Sequence, residues 1–148
     1  KLIDMKRFIL LIAICLPLCA LAQNRDSFEG LMSKYSKYDG VTTIELSGDM
    51  LKSMGVEESI SHMEAIHVEN SNLLSEFSDD IAKITESAYK LMMSVNNDDN
   101  RVKIYTRKLS NGEVEQLLIY TSNSTQGVCV RLAGSNIQLQ DVGKIISF

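Results

Sequence analysis

Residues 73–95, LLSEFSDDIAKITESAYKLMMSV, carry the clearest periodic pattern in this sequence. The apolar residues recur at steps of three and four, which places them on one helical face: Leu74, Phe77, Ile81, Ile84, Ala88, Leu91 and Val95. This spacing predicts one long helix over residues 73–95, with its charged side chains in water. The stripe needs an apolar partner, either a sheet of the same chain or a coiled coil between chains. A coiled coil would leave Phe77 and Ile84 exposed in the monomer.

A β-hairpin is predicted directly after this helix, and it supplies an apolar partner surface. Residues 101–109 and 113–121 flank Asn111-Gly112, a dipeptide typical of a two-residue type I′ turn. A loop of two residues gives three cross-strand pairs: Lys108 with Glu115, Thr106 with Leu117, and Ile104 with Ile119. These pairs bring opposite charges together near the tip and apolar residues together further in, so the register is self-consistent.

The remaining segments are shorter, and each carries a local signal of its own. The first is a helix that Asp26 or Ser27 can cap and that the Asp39-Gly40 turn ends, with its apolar face between residues 28 and 35. Apolar spacing, caps and turn residues also predict helices at residues 48–54 and 139–148 and strands at residues 41–46, 63–68 and 127–133. The resulting order is α-β-α-β-α-β-β-β-α. It predicts an α+β fold, a two-layer sandwich in which a mostly antiparallel sheet packs on one long helix and shorter helices.

The N-terminal residues have the layout of a secretory signal peptide. Basic residues precede an apolar run over residues 8–18, and Ala20 and Ala22 are the small residues that a signal peptidase reads. We therefore predict a signal peptide over residues 1–22, cleaved after Ala22. An uncleaved anchor is the alternative, and it is disfavoured because the apolar run is short for a bilayer.

The mature protein then begins at Gln23, and residues 23–148 are long enough for a single globular α+β domain. Residues 1–4 do not fit a signal peptide, and we interpret them as an upstream extension. Lipid anchoring at Cys19 is disfavoured, because Leu18 stands where a small residue is expected. The predicted location is the periplasm or the cell envelope.

The net charge limits the classes of binding partner, and the cysteine content limits disulfide bonding. Removal of residues 1–22 takes away three basic residues and one acidic residue, so the net charge falls from −4 to −6. An acidic protein without clustered Lys and Arg is poorly suited to nucleic acid or to anionic membranes. Only Cys129 remains after cleavage, so packing rather than an internal disulfide must hold the domain. We predict no transmembrane helix in the mature chain, which is a monomer or a weak homo-oligomer.

Four segments carry a resemblance to a known family. They are FEGLMSKY at residues 28–35, Gly40-Val41-Thr42, Met50-Leu51, and LAGSNIQL at residues 132–139. Together with the signal peptide, they resemble domain-of-unknown-function family 4252, which comprises small exported proteins and lipoproteins of Bacteroidetes. The resemblance implies an exported envelope protein, and it brings no catalytic or binding residues.

Candidate chemistry in the sequence is sparse. Cys129 lies between two valines of a predicted strand, where a small structural residue is the ordinary role; a nucleophile would need an accessible position beside a histidine. His62 and His67 are five residues apart, a spacing that puts them on one face of neither a helix nor a strand. No motif indicates a cofactor or a metal, and we predict none.

We therefore predict a non-enzymatic envelope protein that acts as a protein–protein interaction or small binding module, with an unknown envelope protein as its partner. If the helices cover the sheet face bearing Ile104 and Ile119, the opposite face remains open. It would carry aromatic, basic and apolar side chains: Tyr105, Arg107, Gln116, Leu118, Tyr120 and Arg131. That mixture suits contact with a partner. The alternative is a periplasmic enzyme or metal-handling protein that uses Cys129 or the His62/His67 region.

Overall fold

The structure is a computed structural model, and it describes residues 27–56 and 58–140. The predicted signal peptide over residues 1–22, its extension and Cys19 lie outside the described residues. The same is true of residues 141–148, which form most of the predicted terminal helix.

Six strands form one sheet in which every neighbouring pair is antiparallel, in the order β1-β2-β6-β5-β4-β3. The elements in chain order are α1 (Phe28–Tyr35), β1 (Val41–Ser47), α2 (Gly48–Ser53), β2 (Ile60–Val68), a 3₁₀ turn (Ser71–Leu73), α3 (Leu74–Ala88), β3 (Lys90–Asn97), β4 (Asn100–Lys108), β5 (Val114–Ser122) and β6 (Gly127–Gly134). The predicted α+β class is therefore confirmed, and β1 and β3 form the two edges of the sheet.

The long helix is shorter than its periodicity predicts. α3 ends at Ala88, and Tyr89 already has the extended backbone angles φ −116° and ψ 152°. The predicted helix over residues 73–95 is wrong at its C-terminal end, since residues 90–97 form strand β3 instead. The reason is that β4 offers an antiparallel ladder to these residues, and cross-strand pairing outweighs a weak helical preference.

The hairpin between β4 and β5 has a three-residue loop instead of the predicted two-residue turn. Leu109 N–H donates to the carbonyl of Glu113 at 2.9 Å, and within the loop Gly112 alone has a positive φ, +87°. A type I turn followed by a left-handed glycine accounts for this geometry. Lys108 therefore pairs with Val114, and the predicted pairing of Lys108 with Glu115 is wrong.

A bulge beside Glu115 then restores the predicted register further along the hairpin. Thr106 pairs with Leu117 and Ile104 pairs with Ile119, as the sequence predicts. The alternation of sides is consequently preserved in the interior of the hairpin, even though the loop differs.

Apolar clusters cover both faces of the sheet. On the first, which we call the helix face, the stripe of α3 and the apolar side of α1 pack against β2, β4, β5 and β6. On the second, which we call the α2 face, Leu51 of α2 and Ile137 pack on Leu117, Ile119 and Leu132. The predicted two-layer arrangement therefore describes only the helix face.

The stripe of α3 belongs to the core. The Phe77 ring lies 4.9 Å from that of Tyr35 and 5.8 Å from that of Tyr120, both in edge-to-face geometry. Phe77 and Ile84 are buried, so the coiled-coil alternative is wrong. None of the helices in residues 27–56 and 58–140 has the length and apolar character needed to cross a membrane.

Candidate functional site

The side chains predicted to form an open interaction face point toward the helices. Tyr105, Leu118 and Tyr120 are buried in the cluster beneath α1 and α3. The prediction that the helices leave this face open is therefore wrong. The helices cover the face bearing Tyr105 and Leu118, where the stripe of α3 packs in the same cluster.

The three polar members of that predicted set lie on the same face and bind neighbours within the chain. Arg107 Nε lies 2.8 Å from Glu115 Oε1, and Gln116 accepts a hydrogen bond from the Tyr89 hydroxyl. Arg131 is largely buried, and its Nε donates to Glu64 Oε2 at 2.6 Å. These contacts join adjacent or sequence-distant elements of the domain, so the three polar groups bind within the chain, although the Arg107 side chain is still 46% exposed.

The Arg131–Glu64 pair is the most buried ion pair among the described residues. Glu64 is 4% exposed, and the Arg131 guanidinium carbon also lies 5.3 Å from the centre of the Phe28 ring. The two residues stand directly opposite each other on β6 and β2. A buried carboxylate needs such a partner, because an uncompensated charge in the interior is costly.

Cys129 has none of the properties of a reactive thiol. It is fully buried on β6 within the helix-face cluster, and burial raises the pKa of its thiol well above the ordinary value. A thiol in that state is not a thiolate at neutral pH, and thiolate is the nucleophilic form. The small structural role predicted from the sequence is the one that its surroundings support.

The two histidines contact different side chains. His67 Nε2 lies 2.9 Å from Gln126 Oε1. His62 Nε2 lies 3.4 Å from Glu45 Oε1 and 3.5 Å from Glu64 Oε1, so three possible ligand atoms of β1 and β2 lie within 4.8 Å of one another. Sequence reasoning missed Glu45, because only the β1–β2 register, in which Glu45 pairs with Glu64, brings it to His62.

A run of exposed apolar side chains lies on β3. Every residue of this strand is exposed, including four large apolar side chains that are 45–52% exposed: Leu91, Met92, Met93 and Val95. Met93 and Val95 pair with Ile104 and Val102 on the α2 face, whereas Leu91 pairs with Tyr105 on the helix face. The apolar residues thus occupy both faces of an edge strand.

The backbone of β3 is also available on its outer side. Within the described residues β3 pairs only with β4, so its outer row of N–H and C=O groups has no strand beside it. We call this row and its side chains, residues 90–97, the β3 edge. An unpaired edge of this length is a template for pairing with another chain.

In the sequence, the residues of the β3 edge fit the helical periodicity of the preceding segment. Leu91 and Val95 continue the three-and-four spacing from Ala88, and that spacing fits a helix as well as Leu91, Met93 and Val95 fit an alternating strand. The signal that could have found it is the polar run at residues 96–100, which forms the tight turn into β4. A short polar turn between two alternating segments is typical of a hairpin.

A comparison with protein-family models confirms the resemblance noted in the sequence. A family model described as Domain of unknown function (DUF4252) matches residues 35–145. No curated protein matches the chain, and no solved structure matches it. Because the family description names no activity, a functional conclusion has to rest on the geometry of the chain.

Proposed function

The chain belongs to the family Domain of unknown function (DUF4252), and from the geometry of the β3 edge we propose that it is a non-enzymatic, exported interaction module of the cell envelope. It takes up an extended segment of a protein partner as an additional strand beside β3. In this mode of recognition, main-chain hydrogen bonds supply affinity and alternate side chains supply specificity.

One observation carries the proposal. The β3 edge combines an unpaired backbone with exposed Leu91, Met92, Met93 and Val95. Soluble proteins usually protect an edge strand with charged residues, proline or a covering segment. β3 has a bulge at Met92 and one lysine at its start, but its centre from Met93 to Val95 carries no charge.

The other edge of the sheet provides the contrast. β1 carries Thr42, Thr43 and Glu45 along its length, and its most exposed large apolar side chain is Ile44. A polar edge of this kind is the protected type. The difference between the two edges supports β3 as the working surface and makes β1 an internal control.

Export remains a prediction from the sequence, and it supports the envelope assignment. The basic-apolar-small layout of residues 1–22 is that of a secretory signal peptide. The acidic mature chain favours a protein partner over nucleic acid or an anionic membrane. These features together suit a module that contacts other envelope proteins.

Site-specific photocrosslinking in the native envelope tests the proposal. A crosslinking residue at Met93 is expected to capture a protein partner, and the same residue at Ile44 on β1 should not. Val95→Lys should abolish the capture, since a charge in the centre of an edge strand blocks pairing. The matched control is Ile44→Lys, because Ile44 and Val95 are almost equally exposed, at 45% and 47%. Equal capture from both edges, or capture that Val95→Lys leaves unchanged, would reject the β3 edge as the binding surface.

A second candidate, metal handling, retains one supporting observation. Glu45, His62 and Glu64 bring one nitrogen and two carboxylate oxygens within 4.8 Å of one another, a donor set that suits Zn²⁺. Titration calorimetry with Zn²⁺ is the test, with His62→Ala as the variant. Binding that disappears in the His62→Ala variant would support this candidate, whereas absence of binding in the unmodified protein would reject it.

A further inference from the structure

We infer that the partner at the β3 edge is a second copy of the same chain, related by a two-fold axis, so that the two sheets become continuous through an antiparallel β3–β3 pair. This inference rests on the proposed function, because it names the partner of the same surface. It follows from the distribution of charge and apolar side chains along the strand.

The two ends of β3 carry opposite charges. Lys90 begins the strand, and Asp98 and Asp99 form the turn that follows it. All three side chains are exposed, and none of them takes part in an ion pair within the described residues. They are therefore available to a partner on the same edge.

An antiparallel second copy satisfies these charges at both ends at once. Two-fold symmetry places the start of one β3 beside the end of the other, so each Lys90 approaches the partner's acidic turn. A parallel arrangement would instead bring lysine toward lysine and aspartate toward aspartate. Opposite charges across strands stabilise a pair and like charges destabilise it, so the charge pattern selects the antiparallel copy.

The centre of the strand complements itself in the same arrangement. A two-fold axis at Ser94 sets Met93 opposite Val95 of the other copy, and the symmetric pair repeats this contact. Both residues lie on the α2 face, next to Ile104 and Val102, so pairing joins the exposed apolar rows of the two copies. Residues 93–95 lie beyond the bulge between Leu91 and Met93, where the ladder is regular.

The size of the contact predicts how tightly the copies associate. A single pair of eight-residue strands lies at the small end of specific interfaces, below about 1,200 Å². We therefore expect a dimer that dissociates on dilution. A weak homo-oligomer is one of the two states predicted from the sequence, and a monomer is the other.

Sedimentation of the purified protein over a range of concentrations provides the first test. The wild-type protein should show a reversible monomer–dimer equilibrium. Lys90→Glu alone, and Asp98→Lys combined with Asp99→Lys, should each weaken the dimer about tenfold, because two attractive contacts become repulsive. Mixing the two variants should restore association, since both ends of the mixed dimer again carry opposite charges. Ile44→Lys on the β1 edge is the matched control, and it should leave the equilibrium unchanged.

A crosslink at the two-fold axis provides the second test, and it depends on the register. Cα atoms of directly opposed residues in an antiparallel pair are about 4.5–5.5 Å apart, within the range of a disulfide. Ser94→Cys should therefore give a covalent dimer on mild oxidation, and Ile44→Cys should not. Cys129 is buried and should not interfere.

The outcomes separate this inference from the proposed function. A protein that stays monomeric at all concentrations, yet captures a different protein through Met93, overturns the second-copy inference and leaves strand addition standing. A dimer that ignores the charge exchange and is not crosslinked through residue 94 also overturns it. If there is neither self-association nor β3-dependent capture, both proposals fail.

Discussion

Arg131→Met is expected to lower the free energy of unfolding by about 3–5 kcal/mol, the loss that follows when one partner of a buried ion pair is removed. Methionine preserves much of the apolar stem but no positive charge. Glu64 would then remain 4% exposed without the cation that Nε and the second guanidinium nitrogen present to it. The nearby His62 is 3.5 Å from the other carboxylate oxygen and cannot replace the two guanidinium nitrogens that contact Oε2.

The magnitude follows from two opposing quantities. At 2.6 Å and an effective dielectric constant of about 20, the Coulomb attraction between the two charges is roughly 6 kcal/mol. Desolvation of each ion costs several kcal/mol, so the intact pair contributes little net stability. The single variant keeps the desolvation of Glu64 and loses the attraction. The double variant Glu64→Leu with Arg131→Met removes both terms and should lie within about 1 kcal/mol of the wild type.

Urea denaturation of the wild type, both single variants and the double variant gives the coupling energy through a double-mutant cycle. Arg107→Met is the matched control, because Arg107 pairs with Glu115 at 2.8 Å but is 46% exposed. Exposed pairs contribute about 0–1 kcal/mol. A loss below about 1 kcal/mol for Arg131→Met, or strictly additive losses in the double variant, would refute the account of Arg131 as the partner of a buried charge.

Three further predictions concern the core and its boundary. Burial raises the pKa of Asp80, but hydrogen bonds from Lys34 and Tyr35 outweigh it and hold that pKa below its ordinary value of 3.8. The stability that this group contributes is present above pH 3.8 and is lost as the pH falls through the lower folded pKa. Asp80→Asn should therefore destabilise the protein at pH 7 and flatten the acid limb of a pH–stability profile. An acid limb that the variant leaves unchanged would contradict this. Cys129 should resist a thiol reagent in the folded protein and react at the rate of unfolding, and immediate labelling would contradict its burial. Gly134→Ala should cost at least about 1–3 kcal/mol in thermal or urea unfolding, because a Cβ there would lie 1.8 Å from the Ser59 carbonyl oxygen; a neutral effect would contradict that packing.

Local signals predicted several elements well. Ser27 caps α1, where its side chain accepts a hydrogen bond from the Gly30 N–H, and the Gly40 turn separates that helix from β1. The interior pairs of the β4–β5 hairpin were predicted because turn chemistry and side-chain alternation act over a few residues. Such interactions involve residues that are close together in the sequence, so the sequence alone can predict them.

The same local reasoning failed at residues 90–97. The three-and-four spacing of the stripe is compatible with a helix throughout, and only the ladder with β4 decides that Leu91 to Val95 are extended. For that reason the sequence did not predict the β3 edge, from which the proposed function derives. The choice between helix and strand depended on a partner segment that the periodicity alone does not contain.

The candidate sites depend on contacts between residues that are distant in sequence, which local patterns do not predict. Glu64 and Arg131 are 67 residues apart in sequence, and Glu45 reaches His62 only through the register of β1 with β2. Alternation correctly grouped Tyr105, Leu118 and Tyr120 on one face, but it does not say which face the helices cover. Burial of that face depends on its contacts with α1 and α3, which are distant in sequence.

The amino-acid sequence by itself determined the α+β class, the interior pairs of the β4–β5 hairpin and the family, because these depend on composition, periodicity and turns that act locally. Tertiary structure alone decided where α3 ends, which sheet face α1 and α3 cover, and that residues 90–97 form an edge strand. Those outcomes depend on contacts between distant segments, whose packing and hydrogen bonds outweigh local preference. The β3 edge is their product: a stretch with a helical pattern became an exposed strand because β4 pairs with one side of it and, within the described residues, no strand pairs with the other.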